Sequence, residues 1–156
     1  MRHETQEHTF VLAVDPGGNT GLAWLVDDEF GSQVATGGRF GFHDWFTKAV
    51  AKVATPNVVI CEDFIITSAT ARKTAQPDPH RIIGWLELWC YQHGVPFILQ
   101  TPSQAKGFGT DAKLKFMGYY RAGNGGHDND AARHLLTYCA VRGRQLSVLN
   151  RLKEFV

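Results

Sequence analysis

The stretch VLAVDPGGNTGLAW, residues 11–24, contains the clearest structural pattern in the sequence. Its first apolar run ends at Asp15, passes through a Pro-Gly-Gly turn, and resumes as a second apolar run. This pattern predicts two antiparallel strands, over residues 9–15 and 20–27, joined by a short connection. Taken alone, Asp-Pro-Gly-Gly is typical of an ordinary turn. Whether Asp15 is a functional residue therefore depends on other parts of the sequence.

Strands and helices alternate in the rest of the sequence. The predicted elements are a third strand with an internal Gly-Gly bulge at 32–40, a helix from Asp44 to Pro56, a strand at 57–62, a loop at 65–79, a helix at 79–93 closed by Gly94, a strand at 96–100, short helices from Ser103 and over 111–121, a helix at 128–142, and a helical tail at 146–155. Three antiparallel strands followed by strand-helix alternation predict the α/β class, with a mixed five-stranded sheet flanked by helices. We expect a single domain, residues 1–156, with its core at about 9–142.

The composition is that of an ordinary globular protein. Hydrophobic residues make up 44% of the chain and charged residues 20%, which argues against disorder. The three cysteines lie far apart among apolar residues, a pattern that favours reduced thiols over disulfides or a zinc cluster. The N-terminus is too polar for a signal peptide, and no run reaches the ~20 apolar residues of a membrane span. We expect a cytoplasmic protein that does not bind membranes.

Acidic residues lie at the ends of two predicted strands. Asp15 ends the first strand and Glu62 ends the fourth, so these side chains would be neighbours if the two strands were adjacent and parallel. His127 and Asp130 are three residues apart and can face one point from the start of a helix. Clustered carboxylates repel one another unless a cation joins them, and hard oxygen ligands suit Mg²⁺ or Mn²⁺. Two such ions, ~4 Å apart, would activate water against a phosphodiester, which predicts a nuclease.

Each of these residues also has a plainer interpretation. Glu62 can be the first polar residue after a buried strand, Asp130 can favour the helix dipole, and His127 can be a surface residue. Each plain interpretation is favoured when its residue is taken singly. Together they would require unrelated acids to meet at the adjacent ends of one sheet by accident.

Segments of the chain resemble a known family when they are taken in order. Asp15–Gly21 (DPGGNTG), Val58–Glu62 (VVICE) and His127–Ala131 (HDNDA) resemble the RuvC family of Holliday junction resolvases, in the ribonuclease H-like superfamily. Thr101–Lys106 (TPSQAK) is similar to the family's proline-to-lysine segment. The resemblance covers about residues 10–141. It implies a ribonuclease H-like fold and a homodimer that uses divalent metal to cut two strands of a four-way DNA junction.

The resemblance also implies roles for individual residues. The implied catalytic residues are Asp15, Glu62, His127, Asp130 and Lys106. Asp15 would bridge two Mg²⁺ ions, for which Mn²⁺ can substitute, while Glu62 and Asp130 would each hold one. Asp128 is an additional acid next to His127, and either of these two residues could be the fourth ligand. No organic cofactor is implied.

Basic residues cluster in the second half of the chain. Residues 133–153 contain five basic residues and no acidic one. Such a run usually marks a solvated helix face, but its coincidence with an acidic site favours phosphate binding. The two glycines after Asp15 would leave room for a DNA backbone, and an aromatic residue could stack on a base. The predicted DNA-contacting residues are Gly17, Gly18, Phe64, Arg72, Lys73, Lys106, Lys113 and Lys115.

The acidic residues thus predict a metal-dependent nuclease, and the resemblance implies a structure-selective DNA endonuclease, a hydrolase that acts on Holliday junctions and other branched DNA in recombination or repair. The alternative is a related nuclease that cuts flaps, forks, single strands or RNA precursors. An actin-like kinase shares a phosphate-binding turn, but 156 residues leave no room for its two domains. The intact acids disfavour an inactive junction-binding protein. Such a compact chain would suit a phage-encoded enzyme that acts in the host cytoplasm.

Overall fold

A single mixed sheet organises the protein. The computed structural model describes residues 9–64 and 77–156. The strands are β1 (Phe10–Asp15), β2 (Thr20–Val26), β3 (Glu29–Ala35), β4 (Val58–Glu62) and β5 (Phe97–Gln100), in the spatial order β3-β2-β1-β4-β5. β1 pairs with β2 and β2 with β3 in antiparallel fashion, whereas β4 pairs in parallel with β1 and with β5. This arrangement confirms the predicted mixed five-stranded sheet.

Helices cover both faces of this sheet. They are α1 (Gly38–Lys52), α2 (Asp78–His93), α3 (Pro102–Phe108), α4 (Asp111–Met117), α5 (His127–Thr137), which continues as a π-helical turn (Tyr138–Arg142), and α6 (Leu146–Leu152). On β1, Leu12 and Val14 pack with the buried residues of α1 and α2, while Val11 and Ala13 pack with those of α4 and α5. Strands that are buried on both faces read as continuous apolar runs, which explains the pattern of the opening stretch.

The predicted boundaries around the first helix are wrong. The third strand ends at Ala35 rather than at residue 40, and α1 begins at Gly38 rather than at Asp44. Gly37 and Gly38 have φ angles of 90° and 64°, in the left-handed region that glycine adopts without strain. The Gly-Gly pair therefore turns the chain from β3 into α1 and is not a strand bulge.

Two further helices end earlier than predicted. The helix predicted over 111–121 stops at Met117, because Gly118 adopts a left-handed φ of 76° at its C-terminus. The tail helix ends at Leu152 instead of residue 155. Most of the predicted loop over 65–79 lies outside the described residues.

The three cysteines are free and buried, as their apolar surroundings predict. They are Cys61, Cys90 and Cys139. In the part of the chain that the structure describes, no helix is both long enough and apolar enough to cross a membrane.

The start of α5 lies directly against β2 at Gly21. A Cβ atom at Gly21 would stand 1.8 Å from the carbonyl oxygen of His127, so only a residue without a side chain permits this approach. Ala131 and Ala132, the small residues of the next turn, are completely buried. This close packing holds the first turn of α5 over the end of β1.

We predict that Gly21→Ala will lower the free energy of unfolding by about 3 kcal/mol, because the methyl group would overlap the backbone of α5. Chemical denaturation measures the change. Gly107→Ala is the matched control, since no atom lies within 4 Å of its added Cβ. That substitution should be neutral or stabilising by up to about 1 kcal/mol. Equal stabilities of the two variants would contradict the proposed close packing.

Candidate active site

Two carboxylates meet where β1 and β4 end. Val14 pairs with Cys61 in the parallel register, so Asp15 and Glu62 follow side by side at the same edge of the sheet. The first turn of α5 adds His127 and Asp130 to this edge. The four side chains line a pocket of about 270 Å³, whose lining residues are Asp15, Pro16, Gly17, Gly18, Asn19, Glu62, Phe64, His127 and Asp130. Residues more than one hundred positions apart in the sequence thus share one pocket.

The structure separates the two candidates for the fourth ligand. His127 lines the pocket, with its Nδ1 3.7 Å from Oδ2 of Asp15. Asp128 is only 1% exposed, and its carboxylate accepts hydrogen bonds of 3.0 Å from the side chain of Asn124 and from the backbone N–H of Asn129. Asp128 therefore holds the loop before α5 and does not reach the pocket, because consecutive helical residues point in different directions.

The carboxylates differ in how readily they accept a proton. Burial raises the pKa of Asp15 to about 8, and the neighbouring Glu62 and Asp130 add to this effect, while His127 opposes it. Burial would also raise the pKa of Glu62, but hydrogen bonding from His134 and Asp15 lowers it to about 2. The contact with Asp15 raises the pKa of His127. Of these two carboxylates, Asp15 is thus the one that keeps its proton more readily, while Glu62 is the one that ionises more readily.

The donors in the pocket suit a hard divalent cation in their chemistry. Three carboxylates and one imidazole are the ligand types that Mg²⁺ and Mn²⁺ accept. A cation would also oppose the burial and the neighbouring carboxylates that raise the pKa of Asp15. Within residues 9–64 and 77–156, however, no three or more acidic, histidine or cysteine side chains lie in an arrangement that could hold a metal ion. The pocket thus has suitable ligand types without a formed metal-binding geometry.

The predicted DNA-contacting residues fall into four groups. Gly17, Gly18 and Phe64 line the pocket itself. Lys106 is exposed on α3, where its charge helps to lower the pKa of Glu62. The remaining lysines lie over aromatic rings outside the pocket lining: Lys113 Nζ is 3.9 Å from the ring centre of Phe108, and Lys115 Nζ is 4.8 Å from that of Tyr120. Arg72 and Lys73 lie outside the described residues.

Arg133 is a neighbour of the pocket that sequence reasoning did not single out as a site residue. Its Nε lies 3.5 Å from Oδ1 of Asp130, one helical turn earlier, while its terminal nitrogens bind the Gly109 carbonyl and the carboxylate of Asp111. Arg133 thereby ties Asp130 to the segment between α3 and α4. Its spacing of three residues from Asp130 was the available signal.

A buried polar pair behind Glu62 was also missed. His134 of α5 is 1% exposed and Gln100 at the end of β5 is 7% exposed. Nδ1 of His134 lies 2.9 Å from Oε1 of Gln100, and its Nε2 lies 3.7 Å from Oε2 of Glu62. The helical spacing of residues 130 and 134 was visible in the sequence, but the role of β5 was not.

Comparison with known proteins identifies the fold. No protein-family model and no curated protein sequence matches this chain. The solved structure of Thermus thermophilus RuvC in complex with a Holliday junction substrate is similar, with a TM-score of 0.62 and 18% sequence identity over 87% of this chain and 98% of that one. A second Thermus thermophilus RuvC structure has a TM-score of 0.61 and 16% identity, over 92% of this chain and 96% of that one. The chain has the ribonuclease H-like fold of the RuvC structures, as predicted.

Proposed function

We propose that the protein is a metal-dependent endonuclease that hydrolyses phosphodiester bonds in Holliday junctions and other branched DNA. The observation that carries the proposal is the pocket in which Asp15, Glu62, His127 and Asp130 meet. The fold supports the substrate class, because a RuvC of the same fold has been solved with a Holliday junction substrate.

Asp15, Glu62, His127 and Asp130 would hold two Mg²⁺ ions, with Mn²⁺ as a substitute. Bound ions of this kind make water a nucleophile at neutral pH and stabilise the leaving oxygen of the phosphodiester. Asp15 would be a rigidly held ligand, because it ends a central strand of the sheet. His127 can ligate an ion or accept a proton, since imidazole titrates near neutrality.

The residues around the acids would bind the DNA. Gly17 and Gly18 leave the pocket wall without side chains, so a phosphate could approach the backbone. Lys106 would neutralise the scissile phosphate, and Lys113 and Lys115 would contact phosphates farther along the arm. Phe64 borders the pocket and presents an aromatic ring on which an unpaired base could stack.

A homodimer would place two such pockets on one four-way junction. On α2, Ile82, Leu86 and Cys90 are buried against the sheet, whereas Leu88 and Tyr91 are 54% and 84% exposed. An exposed leucine and tyrosine on one helix support a second copy of this chain as the occupant of that surface. We place the enzyme in the cytoplasm, where it would act in recombination or repair.

Cleavage of a panel of DNA substrates tests the substrate class. With Mg²⁺ or Mn²⁺, four-way junctions should be cut at least tenfold faster than flaps, forks or single strands. Faster cutting of flaps or forks, or of RNA precursors added to the panel, would favour the related nuclease instead.

Asp15→Asn should lower cleavage at least ~10³-fold, because metal stabilisation of the transition state is worth several kcal/mol. Junction binding should persist in this variant, measured by gel shift.

Thermal unfolding tests the cation without DNA. The pKa of Asp15 rises from its ordinary value of 3.8 to about 8 on folding. The folded state therefore binds this proton more tightly than the unfolded state, and the contribution of Asp15 to stability declines as pH rises from about 4 to about 8. In EDTA at pH 8, Asp15→Asn should raise the free energy of unfolding on the order of 1 kcal/mol. Added Mn²⁺ should raise the Tm of the unaltered protein and leave that of Asp15→Asn unchanged.

The control for this experiment is Asp44→Asn, which changes an exposed carboxylate on α1 that does not line the pocket. It should keep the Mn²⁺-dependent rise in Tm. An unchanged Tm of the unaltered protein in millimolar Mn²⁺ or Mg²⁺ would contradict the proposed metal site.

Sedimentation velocity tests the dimer. Leu88→Glu should weaken self-association at least tenfold, since burying an unpaired carboxylate in an apolar interface is unfavourable. Asn150→Glu, at an exposed position on α6, which packs on the opposite face of the sheet from α2, is the matched control and should not change association. A chain that stays monomeric at high concentration and with junction DNA would overturn this part of the proposal.

A further inference from the structure

His134 occupies a position where an apolar residue would be expected. Its neighbours on the buried side of α5 are Ala131, Leu135 and Leu136, all fully buried. His134 itself is 1% exposed, so its two ring nitrogens must find partners inside the protein. Burying an imidazole without them would be destabilising.

The two partners of the ring lie on different elements. Nδ1 contacts the side-chain amide of Gln100 at 2.9 Å, and Nε2 faces Oε2 of Glu62 at 3.7 Å. Gln100 pairs with Glu62 in the register of β5 with β4. His134 of α5 therefore contacts two neighbouring strand ends at once. The oxygen and nitrogen of a side-chain amide can exchange places by rotation. With the NH₂ group of Gln100 donating to Nδ1, a neutral His134 ring carries its own proton on Nε2, on the side of Glu62.

The arrangement restrains a flexible side chain. A glutamate has three rotatable bonds and can leave a pocket edge, whereas His134 is locked by packing on α5 and by Gln100. Nε2 of His134 lies 3.7 Å from Oε2 of Glu62, and Glu62 also lines the pocket. Groups that orient a metal ligand in this way strengthen metal binding, and their loss costs 10–100-fold in affinity.

We infer that His134, held by Gln100, is a positioning residue that orients Glu62 for divalent metal. The inference rests on the proposed function, in which Glu62 is a ligand. His134 does not line the pocket and acts only through Glu62.

A pair of substitutions separates this role from simple core packing. In His134→Gln the amide nitrogen falls near the position of Nε2, so a donor toward Glu62 remains. In His134→Asn the amide falls near Nδ1, so the contact with Gln100 is kept and the donor toward Glu62 is lost. Both variants lose the ring, so both should lose similar stability, which the Tm in EDTA monitors.

Calorimetric titration with Mn²⁺ alone, without DNA, is the decisive measurement. His134→Asn should bind Mn²⁺ 10–100-fold more weakly than the unaltered protein, and His134→Gln within about threefold of it. Equal affinities of the two variants would overturn the inference and leave the proposed function standing. If the unaltered protein itself does not bind Mn²⁺, both proposals fall.

Gln100→Leu provides a second variant if His134→Asn does not fold. It leaves the imidazole in the core and removes only the partner of Nδ1. We expect about tenfold weaker Mn²⁺ binding, because the ring loses its fixed orientation. An unchanged affinity would overturn the inference.

Discussion

The parallel pairing of β1 with β4 is the constraint on which the site depends. It sets Asp15 beside Glu62 at the end of two central strands, where neither backbone can move away. Burial of Asp15 is the main cause of its raised pKa, and the nearby carboxylates of Glu62 and Asp130 raise it further. The raised pKa of Asp15 is therefore a direct consequence of the topology. A bound cation would favour the ionised form of Asp15.

The packing of α5 adds two further side chains to the pocket at the strand ends. Gly21 lets the backbone of His127 lie against β2, and this contact fixes the direction in which the first turn of α5 points. His127 and Asp130 then face the strand ends, while Asp128 is turned into the interior and bonded to Asn124. The pocket is thus assembled by one sheet edge and one helix start, and both are rigid.

Several features were accessible from the sequence, and their physical reasons are simple. Continuous apolar runs ending in acids indicate central strands with functional ends, because strands buried on both faces tolerate polar residues only where they emerge. The three-residue spacing of His127 and Asp130 predicts that both side chains lie on one side of a helix, since residues three apart are neighbours on its surface. The sequence pattern predicts a strand bulge at Gly37-Gly38, which is wrong. Glycines with a left-handed φ occur both in bulges and before helices, so the pair by itself does not distinguish the two.

Sequence patterns alone predict the order of strands and helices, the mixed character of the sheet and the acids that end its central strands. These follow from local periodicity, which each segment carries independently of its surroundings. Three-dimensional contacts are needed to show that His127 rather than Asp128 lines the pocket, that Arg133 contacts Asp130, and that His134 lies between Gln100 and Glu62. Those outcomes depend on the rotation of α5 about its axis and on the register of β5 beside β4. Both are set by contacts between segments far apart in the chain, which no local pattern encodes.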